Sequence, residues 1–172
     1  MTRINALSLE QAPAAVRTVL QGVEKSLGFI PNAFATLAHS PAALNGYLAL
    51  SQALNKNSLT PAEREIAALA ASEVNGCDYC VAAHSFFGNK AGLGVDDLLA
   101  ARAGTLDGVA ALARAVTLSR GQVTDAQLAA AREAGLDDAK IVDVIAQVSL
   151  LTLTNYLNNV AKTAIDFPPQ SH

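Results

Sequence analysis

The chain has 172 residues, 51% of them hydrophobic and 16% charged, with a net charge of −3. Such a composition excludes a disordered chain and fits one domain, residues 1–172, with a substantial core. With no Lys/Arg cluster to neutralise phosphates, no nucleic-acid partner is expected. Alanine dominates the apolar fraction, and small side chains suit closely packed helices. They also leave little area to bury per residue, so self-association is expected.

The punctuation is that of helices. Ser8 with Gln11 forms a potential capping box, predicting a helix from there to about Gly28. "FIPNAF" reads as a turn into a short helical piece. Ser40-Pro41 supplies a cap followed by proline at the first helical position, opening a helix to about Lys56. Thr60-Pro61-Ala62-Glu63 repeats that device with a glutamate at the third helical position, and its helix stops at Asn75-Gly76. The next helix runs from Cys77 to about Lys90, followed by helices over about Asp96 to Ala103 and Asp107 to Arg120. Thr124 with Gln127 caps another, closed by Gly135. Asp137 opens a long final helix to about Asp166, where Pro168-Pro169 forbids continuation. Alternating β-branched and polar runs are missing, so the fold class is all-α. "MTRINALSLE" carries no apolar run, and "IVDVIAQVSLLTL" is too short and too interrupted to span a bilayer. A soluble cytoplasmic protein with no membrane partner is expected.

Both cysteines and one of the three histidines fall within "NGCDYCVAAHS". In a reducing compartment a CxxC pair is catalytic or metal-binding more often than a permanent staple. Residues three, four and seven apart share one helix face, so Cys77, Cys80 and His84 project together. The helix N-terminus favours a thiolate, which points to Cys77, whereas the nearness of His84 points to Cys80. Glu65 lies eleven residues before Gly76 and His84 eight after it. At about 1.5 Å rise per residue, an antiparallel hairpin brings them to similar heights. A carboxylate facing the imidazole would fix its tautomer and raise its basicity.

Glu65, eleven intervening residues, Cys77-x-x-Cys80, three more and His84 together resemble the signature of alkylhydroperoxidase D-like proteins. These form part of the carboxymuconolactone decarboxylase superfamily. The lead-in "LTPAEREIAALAASEVNGCDYCVAAH" is similar to that family's central hairpin, so the motif core spans 59–90, and "GFIPNAFATLAHSP" resembles the N-terminal region of its peroxidase-related branch. The resemblance implies an all-helical bundle, usually trimeric or hexameric, that reduces alkyl hydroperoxides with no metal or organic cofactor. It implies that Cys80 attacks the peroxide and becomes a sulfenic acid, with His84 and Glu65 relaying a proton. Cys77 would then resolve it into a Cys77–Cys80 disulfide. A dihydrolipoamide-like or thioredoxin-like dithiol would reopen that bond. Tyr79 stands where the enzyme that names the family has histidine. As a hydrogen-bond donor but a poor proton acceptor near neutral pH, it is a secondary site candidate.

Rival readings remain at this level. Zinc would need four ligands, from the two cysteines, His84 and either Glu65 or His39. Two buried thiols could also be simple packing. The same fold could carry a lactone-acid lyase, or a non-catalytic oligomer with a redox or zinc CxxC. His39 is expected to serve a helix C-terminus, and Phe86 or Phe87 to line an alkyl pocket. The polar residues Thr152, Asn155, Tyr156 and Asn159 are expected to form a solvated face or a subunit contact.

Overall fold

The computed structural model describes residues 1–168 and, among them, nine α-helices and no strand. They are α1 (Ala14–Leu27), α2 (Asn32–Leu37), α3 (Pro41–Leu54), α4 (Pro61–Val74), α5 (Asp78–Lys90), α6 (Val95–Ala103), α7 (Gly108–Ser119), α8 (Asp125–Glu133) and α9 (Asp138–Ala161). The all-α expectation holds.

Helix α4 is the axis of the bundle. Its start is fixed by the Thr60 capping box: the hydroxyl accepts the Glu63 N–H at 3.2 Å, and the Glu63 carboxylate accepts the Thr60 N–H at 2.8 Å. From Ile66 to Ser72 every residue is buried, as in a helix enclosed on all sides. Ala67, Ala68, Ala70 and Ala71 are wholly inaccessible, and such short side chains let α5, α6, α7 and α9 pack closely around α4. Gly76, at φ +60°, turns the chain back into α5. A side chain there would have to occupy the left-handed region that glycine enters freely. At Gly88 the constraint is space, since a Cβ would lie 2.8 Å from Leu98 Cδ2 and 3.2 Å from Leu93 Cδ1.

Two predicted boundaries move. The Ser8–Gln11 box forms, with the Ser8 N–H 3.0 Å from Gln11 Oε1, but it closes only a turn. Pro13, at ψ 140°, is extended and α1 begins after it, because proline disfavours a helical residue before it. At the other end α9 stops at Ala161, five residues short of the expected Asp166. Lys162 adopts the left-handed conformation, and the Arg3 N–H takes the Ala161 carbonyl at 2.7 Å. The chain then turns back over the bundle, where Asp166 Oδ2 accepts the Asn32 N–H at 2.7 Å and Asn32 Nδ2 donates to the Ala164 carbonyl at 3.0 Å. Those bonds require the helix to have ended. Of the proline pair, Pro169 lies outside the described residues.

Candidate active site

The turn at Gly76 places Cys77 as the N-cap of α5, where its sulfur accepts the Cys80 N–H at 3.3 Å. Cys80 sits in the first helical turn and His84 one turn further on. Across the α4–α5 pair, His84 Nδ1 is 2.7 Å from Glu65 Oε2. The structure therefore brings Cys77, Cys80, His84 and Glu65 together. Both cysteines are free and buried, and only 1% of Cys77 and 3% of Cys80 is exposed.

Their electrostatics are divided. The hydrogen bond from Cys77 holds the Cys80 thiol down at about 6, against the opposing effect of burial; His84, Asn158 and Asn155 add to the lowering. Cys77 moves up, first because its own proton is shared with Cys80 and then because it is buried. The helix dipole and the imidazole thus favoured different sulfurs, and the proton rests on Cys77. Burial alone would lower the His84 pKa, but the charge and hydrogen bond of Glu65, followed by the charge of Cys80, raise it. The arrangement favours a thiolate on Cys80 and a proton on His84.

A pocket of about 70 Å³ opens onto Cys80 and His84, with an apolar wall from Leu27, Pro31, Phe34, Phe87 and Phe167. Phe87 thus takes the pocket position expected of one phenylalanine, while Phe86 carries the Lys90 ammonium 4.4 Å above its ring. Tyr79 also lines the pocket, but its hydroxyl is engaged: it donates to Asp166 Oδ1 at 2.8 Å and accepts the Ala33 N–H at 3.2 Å. Its ring stacks edge-on against Phe167 at 5.7 Å. The segment after α9 is in this way fastened across the pocket.

Other lining residues were not singled out in the sequence. Tyr47 of α3 reaches the pocket; burial first, then the charges of Cys80 and Glu65, keep its phenol protonated. Asn158 of α9 donates from Nδ2 to Cys80 Sγ at 3.3 Å. No local pattern could have found it, because its partner lies 78 residues away. The polar run on α9 corrects the expectation for it. Asn155 is wholly buried, donating to Ser72 Oγ at 3.1 Å and accepting from Asn75 Nδ2 at 2.8 Å. Asn159 Nδ2 donates to the Asn75 carbonyl at 2.8 Å, whereas Tyr156 is exposed on another side. Asn155 and Asn158 are buried rather than on a solvated face, and with Asn159 they tie α9 to the turn that carries the cysteines. His39 also departs from its expected role, since its Nε2 lies 2.9 Å from the Asn5 carbonyl and so pairs with the N-terminal segment rather than a helix end. Among the described residues no group of three or more His, Cys, Asp or Glu side chains is placed to hold a metal ion. Nor is any helix among them long and apolar enough to cross a membrane.

The carboxymuconolactone decarboxylase family profile matches residues 41–118, from the start of α3 to the last turn of α7, with the whole CxxC region inside it. Among solved structures, the alkylhydroperoxidase AhpD core of an uncharacterised peroxidase-related protein from Ralstonia eutropha JMP134 is 27% identical over 96% of this chain and 92% of that one, with a TM-score of 0.85. A peroxidase-related protein from Silicibacter sp. TM1040 is 21% identical over 94% and 91%, with a TM-score of 0.78. The debrominase Bmp8, also solved in complex with 2,3,4-tribromopyrrole, shares the fold at 18% identity and a TM-score of 0.79, over 96% of this chain and 92% of that one. No curated protein matched. The family profile lies on the CxxC helices and the AhpD-core likeness extends over nearly the whole chain, and together they support an alkylhydroperoxidase D-like member of the carboxymuconolactone decarboxylase superfamily.

Proposed function

We propose that the protein is a thiol-dependent alkyl hydroperoxide reductase. The observation that carries this reading is the disposition of Cys80: a sulfur held as thiolate at an apolar pocket, with a proton-bearing imidazole beside it and a resolving thiol bonded to it. In the first step the Cys80 thiolate attacks the terminal oxygen of R–O–OH. The S–O bond forms as the O–O bond breaks, and the alkoxide leaves as an alcohol with the proton of His84. Glu65 holds that proton on His84 beforehand, and His84 is reprotonated when the Cys80 thiol, regenerated by the reductant, ionises again. Cys77 then attacks the Cys80 sulfenic acid; the Cys77 proton leaves with the hydroxyl as water, and a disulfide remains. Both cysteines stay on the reversible part of the oxidation ladder. An external dithiol, dihydrolipoamide-like or thioredoxin-like, reduces the disulfide and is itself oxidised. The cycle needs no metal or organic cofactor and suits a reducing cytoplasm.

A lactone-acid lyase is less well supported, because no lysine or arginine lines the pocket to receive a carboxylate. The likeness to a debrominase rests on the fold. Self-association, as a trimer or hexamer, is supported by an apolar stripe along α9, where Val142, Ile145, Leu153, Tyr156 and Val160 are all exposed. Apolar surface of that kind marks an interaction face.

The test is turnover of cumene hydroperoxide with dihydrolipoamide as donor. Cumyl alcohol should form in step with lipoamide, and Cys80→Ser should abolish it. Turnover by the wild type no faster than by the Cys80→Ser variant would contradict the assignment.

A further inference from the structure

Asn158 has a feature that the thiol cycle leaves unused. The residue is 4% exposed, its Nδ2 donates to Cys80 Sγ at 3.3 Å, and its Oδ1 is buried with no hydrogen-bond partner. A native protein rarely leaves a buried amide carbonyl unpaired. The orientation of the amide follows from chemistry. A thiolate can only accept, so the NH₂ group faces it and the carbonyl is left over. The two ends of an amide are about 2.2 Å apart, as standard bond lengths require. Oδ1 therefore lies no more than roughly 5.5 Å from the sulfur, and when the two ends of the amide face the same side of the sulfur, an oxygen bonded to it comes within hydrogen-bonding reach.

Building on the peroxidase reading, we infer that Asn158 is a further catalytic residue: its NH₂ holds the attacking Cys80 sulfur, and its carbonyl receives the O–H of the hydroperoxide and then of the sulfenic acid. The balance of the step makes the carbonyl useful. The terminal O–H of R–O–OH is never broken; that oxygen and its hydrogen pass intact from the alkoxy oxygen to sulfur, while the proton for the alcohol comes from His84. A group that accepts from this O–H binds the same hydroxyl in the encounter, in the transition state and in the Cys80–S–OH product. The amide orients the distal oxygen on the sulfur, and the apolar wall takes the alkyl group. Substrates of this site are therefore monoalkyl hydroperoxides, which carry one O–H and one apolar substituent.

Thr163 is the alternative partner for the carbonyl. Its Oγ1 is also buried and unpaired, and Thr163 and Asn158 line a common polar pocket with Gly76, Asp78 and Lys162. The ionisable groups around Cys80 are Cys77 at the N-cap, Tyr79 and His84 on α5, Tyr47 on α3 and, behind His84, Glu65 on α4, while α9 presents the neutral amides of Asn155 and Asn158.

The experiment uses reduced full-length protein as wild type, Asn158→Leu (similar volume, no polar atoms), Asn158→Ala and Thr163→Val. Alkylation by iodoacetamide across pH reports the Cys80 thiolate alone. The rate with tert-butyl hydroperoxide, measured at a pH above the alkylation midpoint of every variant, reports the thiolate plus the O–H contact. Both Asn158 variants should show an upward-shifted midpoint and a recovered alkylation rate at high pH. Their hydroperoxide rate at that same pH should stay about tenfold lower, the effect of one lost hydrogen bond. Thr163→Val should match the wild type in both assays. An unmoved midpoint would overturn the donor role. A hydroperoxide rate that recovers along with alkylation, or a Thr163→Val variant showing the same peroxide-specific loss, would overturn the acceptor role. If the wild type alkylates readily but ignores the hydroperoxide, the peroxidase reading falls and the acceptor role with it. The midpoint comparison still decides the donor role in that case.

Discussion

Replacing Glu65 with glutamine preserves shape and hydrogen-bonding reach at the His84 contact and removes only the charge. The two side chains are 2.7 Å apart and about a fifth exposed, at 18% for His84 and 21% for Glu65. Two unit charges about 4 Å apart in an effective dielectric of about 20 interact by about 4 kcal/mol. That sets a ceiling of about three decades in rate if the whole interaction is expressed in the transition state. The floor comes from the proton itself. Burial is the largest influence on His84 and acts against its charge, so removing the Glu65 charge lowers the His84 pKa and leaves less of the imidazole able to protonate the departing alkoxide. Loss of a general acid costs about 10²-fold or more. Glu65→Gln should therefore slow single-turnover oxidation of the reduced protein by about 10²- to 10³-fold, measured by rapid mixing with a hydroperoxide. The secondary structure should be unchanged. A variant within about twofold of the wild type would refute the relay argument, because that loss is far below the 10² floor for a general acid.

Other outcomes follow from the same geometry. The oxidation rate should fall by half near pH 6 as the solution is acidified, because Cys80 titrates at about 6 and only its thiolate attacks. A thiol of ordinary acidity would place that limb near 8.5, and pre-steady-state rates across pH separate the two. Asp166→Ala removes the acceptor of the buried Tyr79 hydroxyl and of the Asn32 N–H. It should cost about 1–3 kcal/mol in a denaturant melt. Val160→Glu puts a charge on the exposed stripe of α9 and should lower the molar mass seen by light scattering to that of one chain.

Much of this was legible in the sequence, because helix ends are written locally. The caps at Ser40, Thr60, Asp107, Thr124 and Asp137 all form the hydrogen bonds that their residue types predict. The nearness of Glu65 and His84 also followed from helix rise and one turn, and the 2.7 Å contact agrees with it. What escaped was non-local. The end of α9 depends on Asp166 reaching Asn32, 134 residues away in the chain, and nothing near Lys162 announces that. The opening box at Ser8 forms, but Pro13 overrules it by disfavouring a helical residue before it. Asn155 and Asn159 read as a solvated face or subunit contact, and Asn158 drew no reading, because their partners Ser72, Asn75 and Cys80 lie far away in the chain. A buried amide is recognisable only once the helix that covers it is in place.

The claim on which the account rests is the division of labour between the two thiols. It is tested most directly by the intact mass of the reduced protein before and after a brief, limiting dose of an organic hydroperoxide, with Cys77→Ser measured alongside. The account predicts that the wild type loses two hydrogens, as a Cys77–Cys80 disulfide, while the variant gains one oxygen on Cys80. Neither mass changing while both thiols remain titratable would contradict it.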